Sequence, residues 1–159
     1  MTLQGRIIAA HGRHYLVDTG NGEHLPCVTR GKKSDVACGD WVEIMRTSED
    51  QGVIENILPR RQLLYRSNET RQKLIAANVD QVVIVVACAP AFSDDLITRA
   101  IIAAESEEIE VHLVLNKCDL TETLPRARKQ LAVFADLGYP VLELSARSSA
   151  DLLRPRLQG

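Results

Sequence analysis

Along the first sixty residues, apolar positions alternate with polar ones in short runs. "GRIIAA" (5–10), "HYLVDT" (14–19), "EHLPCVTR" (23–30), "WVEIMR" (41–46) and "VIENIL" (53–58) each follow the two-residue period of a strand with one buried face. Turn residues separate them: His11-Gly12-Arg13, Gly20-Asn21-Gly22, Gly39-Asp40 and the polar "SEDQG". Five short strands without a helical period predict a small β-barrel, most simply the five-stranded OB-fold. An SH3-like barrel has a matching strand count. Pro59 closes this unit.

Residues 60–73, "RRQLLYRSNETRQK", are basic and polar, and a composition shift of this kind marks a domain boundary. We place the first domain at 1–66, a linker at 67–76 and a second domain at 77–159. Beyond Val79 the pattern changes again. "VVIVVAC" (Val82–Cys88) is the continuous β-branched run of a strand buried on both faces of a parallel sheet. Ser93 with Asp94 and Asp95 supplies helix-start chemistry. Leu96, Ile97, Ala100, Ile101 and Ala104 then recur at helical spacing. "VHLVL" (Val111–Leu115) predicts the next strand. A second helix is expected over about Leu124–Leu137, burying Ala127, Leu131, Phe134 and Ala135, with Gly138 as its stop. "VLEL" (Val141–Leu144) predicts a third strand. The order β-α-β-α-β is half of a doubly wound α/β domain with a parallel sheet. A further strand would be needed to cover its open edge.

Two loops carry candidate chemistry. In open α/β sheets ligands bind at the carboxyl ends of the strands. Asn116-Lys117-Cys118-Asp119 follows one such end, and Ser145-Ala146-Arg147 follows the next. N-K-x-D is a pattern that reads guanine. A carboxylate at Asp119 can accept from the ring N1–H and the exocyclic N2 amine together, whereas adenine offers a bare acceptor at N1. A site built on paired hydrogen bonds rejects the wrong base because its polar groups are left unpaired. Asn116 can hold the loop, Lys117 can lay its aliphatic stem on the ring, and the Ala146 N–H can donate to the guanine O6 beside Ser145.

A phosphate cradle is missing. G-x-x-x-x-G-K-[ST] has no match: Gly31-Lys32 has Pro26 where the first glycine belongs and Lys33 where a hydroxyl belongs. D-x-x-G is absent too. Phosphoryl transfer rests on positioning and charge neutralisation, so this chain alone is expected to be inactive and to bind no cofactor tightly.

Charge refines the picture. Residues 1–73 hold 11 of the 19 Lys/Arg and 9 of the 21 Asp/Glu, net +2, leaving 8 against 12, net −4, for the rest. Nucleic acid would therefore meet the first half, through local patches. Arg30, Lys32, Lys33, Arg60, Arg61 and Arg66 are candidate RNA contacts. Trp41 and Tyr15 are candidate stacking rings, although so few aromatics in the chain first place Trp41 in the barrel core. The four cysteines are scattered and the histidines do not join them at metal-ligand spacing, so no metal site is expected. No apolar run reaches the roughly 20 residues of a membrane span, and "MTLQGRII" lacks signal-peptide character. The expected location is the cytoplasm, with no membrane partner.

A barrel followed by N-K-x-D and Ser-Ala, with no P-loop before them, resembles the circularly permuted GTPases of the RsgA (YjeQ) family. "CVTRGKK" (27–33), "CGDWV" (38–42), "ILPRRQLLYR" (57–66), "ANVDQVVIVVA" (77–87) and "LNKCDL" (115–120) carry the resemblance across nearly the whole chain. It implies a GTP hydrolase that matures the small ribosomal subunit, with GTP/GDP and Mg2+ bound by the longer protein and an OB domain on ribosomal RNA. It also implies Zn2+ in a C-terminal segment absent from this sequence, which therefore resembles an N-terminal fragment. "RSSADLL" (147–153) lacks the glycine often found after Ser-Ala. The alternative is an OB-type RNA-binding module with a vestigial nucleotide fold.

Overall fold

The computed structural model describes residues 2–31, 35–67 and 72–157. It divides into two units, Met1–Val79 and Asp80–Gly159.

In the first unit, β1 (Thr2–His11), β2 (His14–Asp18), β3 (His24–Thr29), β4 (Trp41–Arg46) and β5 (Gly52–Ile57) close a barrel in the order β1-β2-β3-β5-β4. β3 and β5 are parallel; the other pairs, including β4 on β1, are antiparallel. This is the OB arrangement. Alternation fills the interior: Ile7, Tyr15, Val17, Leu25, Cys27, Val42, Ile44 and Ile54 form one core. Gly12, at φ +65°, makes the tight β1–β2 turn, a conformation that side chains resist.

The tryptophan departs from expectation. Trp41 is 47% exposed, whereas Tyr15 is 3% exposed and occupies the core. Parity is the reason: Val42 and Ile44 face inward, so residue 41 of the same strand must face outward.

Part of the proposed linker also forms a strand. β6 (Leu63–Ser67) and β7 (Gln72–Ala77) pair antiparallel, so residues 72–76 of the expected linker belong to a strand. The hairpin is clasped to the segment before β4. The Ala77 N–H donates to the Cys38 carbonyl at 2.8 Å, and Asn78 Nδ2 donates to the Gly39 carbonyl at 3.0 Å. Asn78 Oδ1 accepts from the Arg61 N–H at 2.9 Å. Gly39 has φ +92°, and a Cβ there would lie 2.0 Å from the Ala77 carbonyl oxygen. Beside it the fully buried Asp40 accepts from Arg60 Nε and a terminal guanidinium nitrogen, both at 2.7 Å, and from the Ala37 N–H at 2.8 Å.

In the second unit, β8 (Gln81–Ala87), α1 (Asp94–Glu105), β9 (Glu110–Asn116), α2 (Leu124–Asp136) and β10 (Val141–Glu143) form a parallel sheet ordered β10-β9-β8. Both helices pack a single core that includes Ile97, Ile101, Leu113, Leu115, Leu131 and Phe134. Ser93 is the N-cap of α1, without a side-chain capping bond, and Asp94 and Asp95 occupy the first turn. Leu96 is 67% exposed and Ala135 is exposed, contrary to expectation. Each lies roughly 100° around its helix from the adjacent buried residue, Ile97 and Phe134, and so falls on the solvent side. No helix among the described residues is long and apolar enough to cross a membrane.

Candidate functional site

Parallel neighbours β9 and β10 end on the same side of the sheet, so the loops after them converge. The Leu144 N–H donates to the Leu115 carbonyl at 2.9 Å and the Cys118 N–H donates back to the Leu144 carbonyl at 3.1 Å. The ladder is thereby continued past both strand ends. Asn116 joins the loops: its Oδ1 accepts from the Lys117 N–H at 2.7 Å and from the Ala146 N–H at 3.0 Å. Lys117 takes φ +61°, which swings the chain out of the strand direction. Its ammonium donates to the Ala89 carbonyl at 2.8 Å, tying in the loop after β8. The Cys88 N–H donates to the Asn116 carbonyl at 3.0 Å.

Ser145 Oγ donates to Asp119 Oδ1 at 2.6 Å. That bond, with the residue's own backbone N–H and the nearby Arg147 and Lys117 cations, holds the exposed Asp119 carboxyl below the usual carboxylate range. The rim thus presents an ionised acceptor of fixed orientation.

Asn116, Lys117, Asp119, Ser145 and Ala146 are all brought together. The Ala146 N–H, read as a donor to a base, here donates to Asn116. The Lys117 ammonium, for which no partner was read, is anchored to backbone. Ala89 joins the site without having been foreseen, and Arg147, named only as part of the Ser-Ala loop, adds a nearby cation. A backbone carbonyl leaves no residue-type signal, and Arg147 was legible only as the neighbour of Ser-Ala.

The described candidate RNA residues all lie in the first unit. Arg30 is exposed and pairs with Glu55 at 2.9 Å. Arg60 is committed to Asp40 and the Asp35 carbonyl, and so serves the clasp. Arg61 and Arg66 are exposed, Arg66 directly opposite Lys73 in the hairpin. Lys32 and Lys33 lie outside the described residues.

A closed OB-type barrel followed by a three-stranded parallel sheet with two helices, carrying N-K-x-D and Ser-Ala at its strand ends, defines the class of fold. The RsgA GTPase family model matches residues 57–159. The small ribosomal subunit biogenesis GTPase RsgA of Nitrosospira multiformis is 53% identical over 156 residues, covering 98% of this chain and 50% of that protein. Its Burkholderia pseudomallei counterpart is 55% identical over 161 residues, with 98% and 51% covered. The crystal structure of YjeQ from Thermotoga maritima superposes with a TM-score of 0.72 at 30% identity, covering all of this chain and 58% of that one. YloQ, a circularly permuted GTPase, gives 0.66 at 25% identity, with 99% and 57% covered. The chain belongs to the RsgA GTPase family, and it spans about half the length of the curated relatives it matches.

Proposed function

We propose that this chain is the guanine-reading and RNA-contacting part of a GTP hydrolase acting in assembly of the small ribosomal subunit in the cytoplasm. The observation that carries the reading is the single Asn116 oxygen joining the two loops, beside an Asp119 carboxylate oriented by Ser145. The names of the relatives support the GTPase and ribosome-assembly parts of it. Asp119 is the residue that accepts the base N1–H and N2 amine. Asn116 holds the loop against its neighbour, and Ser145 fixes the carboxylate. To reach a guanine O6, the Ala146 N–H has to be shared with, or released by, Asn116.

The residues of this chain do not suit the phosphates or Mg2+, since they include neither a P-loop nor D-x-x-G. Those groups would be held by the part of the relatives' length that lies outside this sequence, and no hydrolytic step is assigned to residues here. The first unit, with Arg30, Lys32, Lys33, Arg61 and Arg66, is the proposed contact with ribosomal RNA.

Base preference in a protein of the relatives' length tests the reading. Asp119→Asn exchanges an acceptor for a donor, so competition binding should move from GTP toward XTP. An unchanged GTP preference would remove Asp119 from the site.

A further inference from the structure

We propose that Trp41 and Arg6, on the outer face of β4 and β1, form a stacking platform for one unpaired RNA base, with the flanking phosphate on Arg6. The inference rests on the reading that the barrel contacts RNA and adds where and how. Trp41 is nearly half exposed, and among the described residues its side chain has no hydrogen bond or ring contact. The barrel does not require an aromatic ring there, because its core is filled from the opposite face of β4. Arg6 lies directly across from Trp41 in the β1–β4 register, so both side chains stand on one face within about 5.5 Å at their Cβ atoms. Arg6 makes no ion pair among the described residues. Ile8, 42% exposed, extends the apolar floor along β1.

The surroundings favour a base over a protein surface. Gln4, Glu43 and Asn56 border the ring at one end, so the exposed apolar area is limited to Trp41 and Ile8, with half-buried Leu58 beside them, rather than a broad patch. Two carboxylates border the platform, and each is engaged elsewhere. Glu43 Oε2 accepts from Asn56 Nδ2 at 2.8 Å, toward β5 and away from β1. Asp18, across from Arg6 on β2, accepts from the Gly20 N–H at 2.8 Å through Oδ1 and forms no ion pair with Arg6. A flat π surface beside an unpaired guanidinium matches the chemistry of a nucleobase and its phosphate.

The chain contains a single tryptophan, so its fluorescence reports this site alone. Titrating the chain with a short oligouridylate should quench that emission. Trp41→Ala should weaken binding roughly tenfold or more, and Trp41→Phe should retain affinity within a few-fold. Arg6→Gln should lower the slope of log affinity against log salt by about 0.7, one phosphate on single-stranded nucleic acid. Thermal melts should match wild type, since both positions are exposed. Should RNA bind with unaltered emission, equally to Trp41→Ala, but be lost on neutralising Arg30, Arg61 and Arg66, the platform is wrong while RNA contact by the barrel stands. Absence of RNA binding by the wild-type chain and by the longer protein removes both. Emission unmoved by RNA but shifted by RNA-free ribosomal proteins would assign the face to a protein and overturn the proposal.

Discussion

A carboxylate can discriminate between bases only while ionised and correctly aimed, and at Asp119 one neighbour contributes to both. The Ser145 hydroxyl, donating at 2.6 Å, is the largest cause of its lowered pKa and also fixes the direction of Oδ1. Because the folded pKa lies below the unfolded value of about 3.9, the associated stabilisation is present above that value. It is lost as pH falls through the folded pKa. Ser145→Ala should therefore raise the Asp119 pKa toward the ordinary carboxylate value, read from the side-chain carboxyl 13C shift in an acid titration. An unmoved titration would mean that the backbone N–H with Arg147 and Lys117 sets it without the hydroxyl. Asn116 shows a second residue-level economy: one amide oxygen satisfies two backbone N–H groups from separate loops.

Among the elements, the β6–β7 hairpin depends most on a few contacts. Asp40 is fully buried and Arg60 is its counter-charge. Removing one partner of such a pair leaves the other uncompensated, at a cost of about 3 kcal/mol. Arg60→Leu should lower barrel stability by about that much in urea unfolding followed by Trp41 emission. Asp40→Ala should cost less, because the stranded guanidinium is partly exposed and can reach water. Gly39→Ala places a methyl where the Ala77 carbonyl sits and forces a side chain into a left-handed conformation. A loss of at least about 2 kcal/mol is expected, with amide exchange accelerated first at Ala77 and Asn78 as the hairpin lifts. These two residues join "CGDWV" to "ILPRRQLLYR" through contacts that no local pattern displays.

At the scale of the whole molecule, the second unit has one well-covered face and an open flank. β8 is an edge strand in the β10-β9-β8 order, and Val85 on it is 57% exposed. The chain spans about half the length of the curated relatives it matches. Alone, the chain should release phosphate from GTP no faster than buffer controls; turnover typical of GTPases would show that residues of this chain suffice for phosphate chemistry.

Local order along the chain sufficed for the element sequence. Two-residue alternation marked the five barrel strands and helical spacing marked α1 and α2, because each pattern reflects which side of one element leaves water. The β-branched runs located β8 and β9, although β8, expected to be buried on both faces, lies at an edge with Val85 exposed. The two candidate loops were legible for a similar reason: they abut strand ends, and parallel strands deliver their carboxyl ends to one side. Tertiary structure decided what depends on residues distant in sequence. It turned Trp41 outward and Tyr15 inward, made a clasped hairpin of a polar stretch that composition marks as linker, and withdrew Arg60 into an ion pair with Asp40. It also gave Asn116 and Ser145 their partners across the two loops. Such pairings follow from the closure of barrel and sheet, which composition and periodicity do not encode.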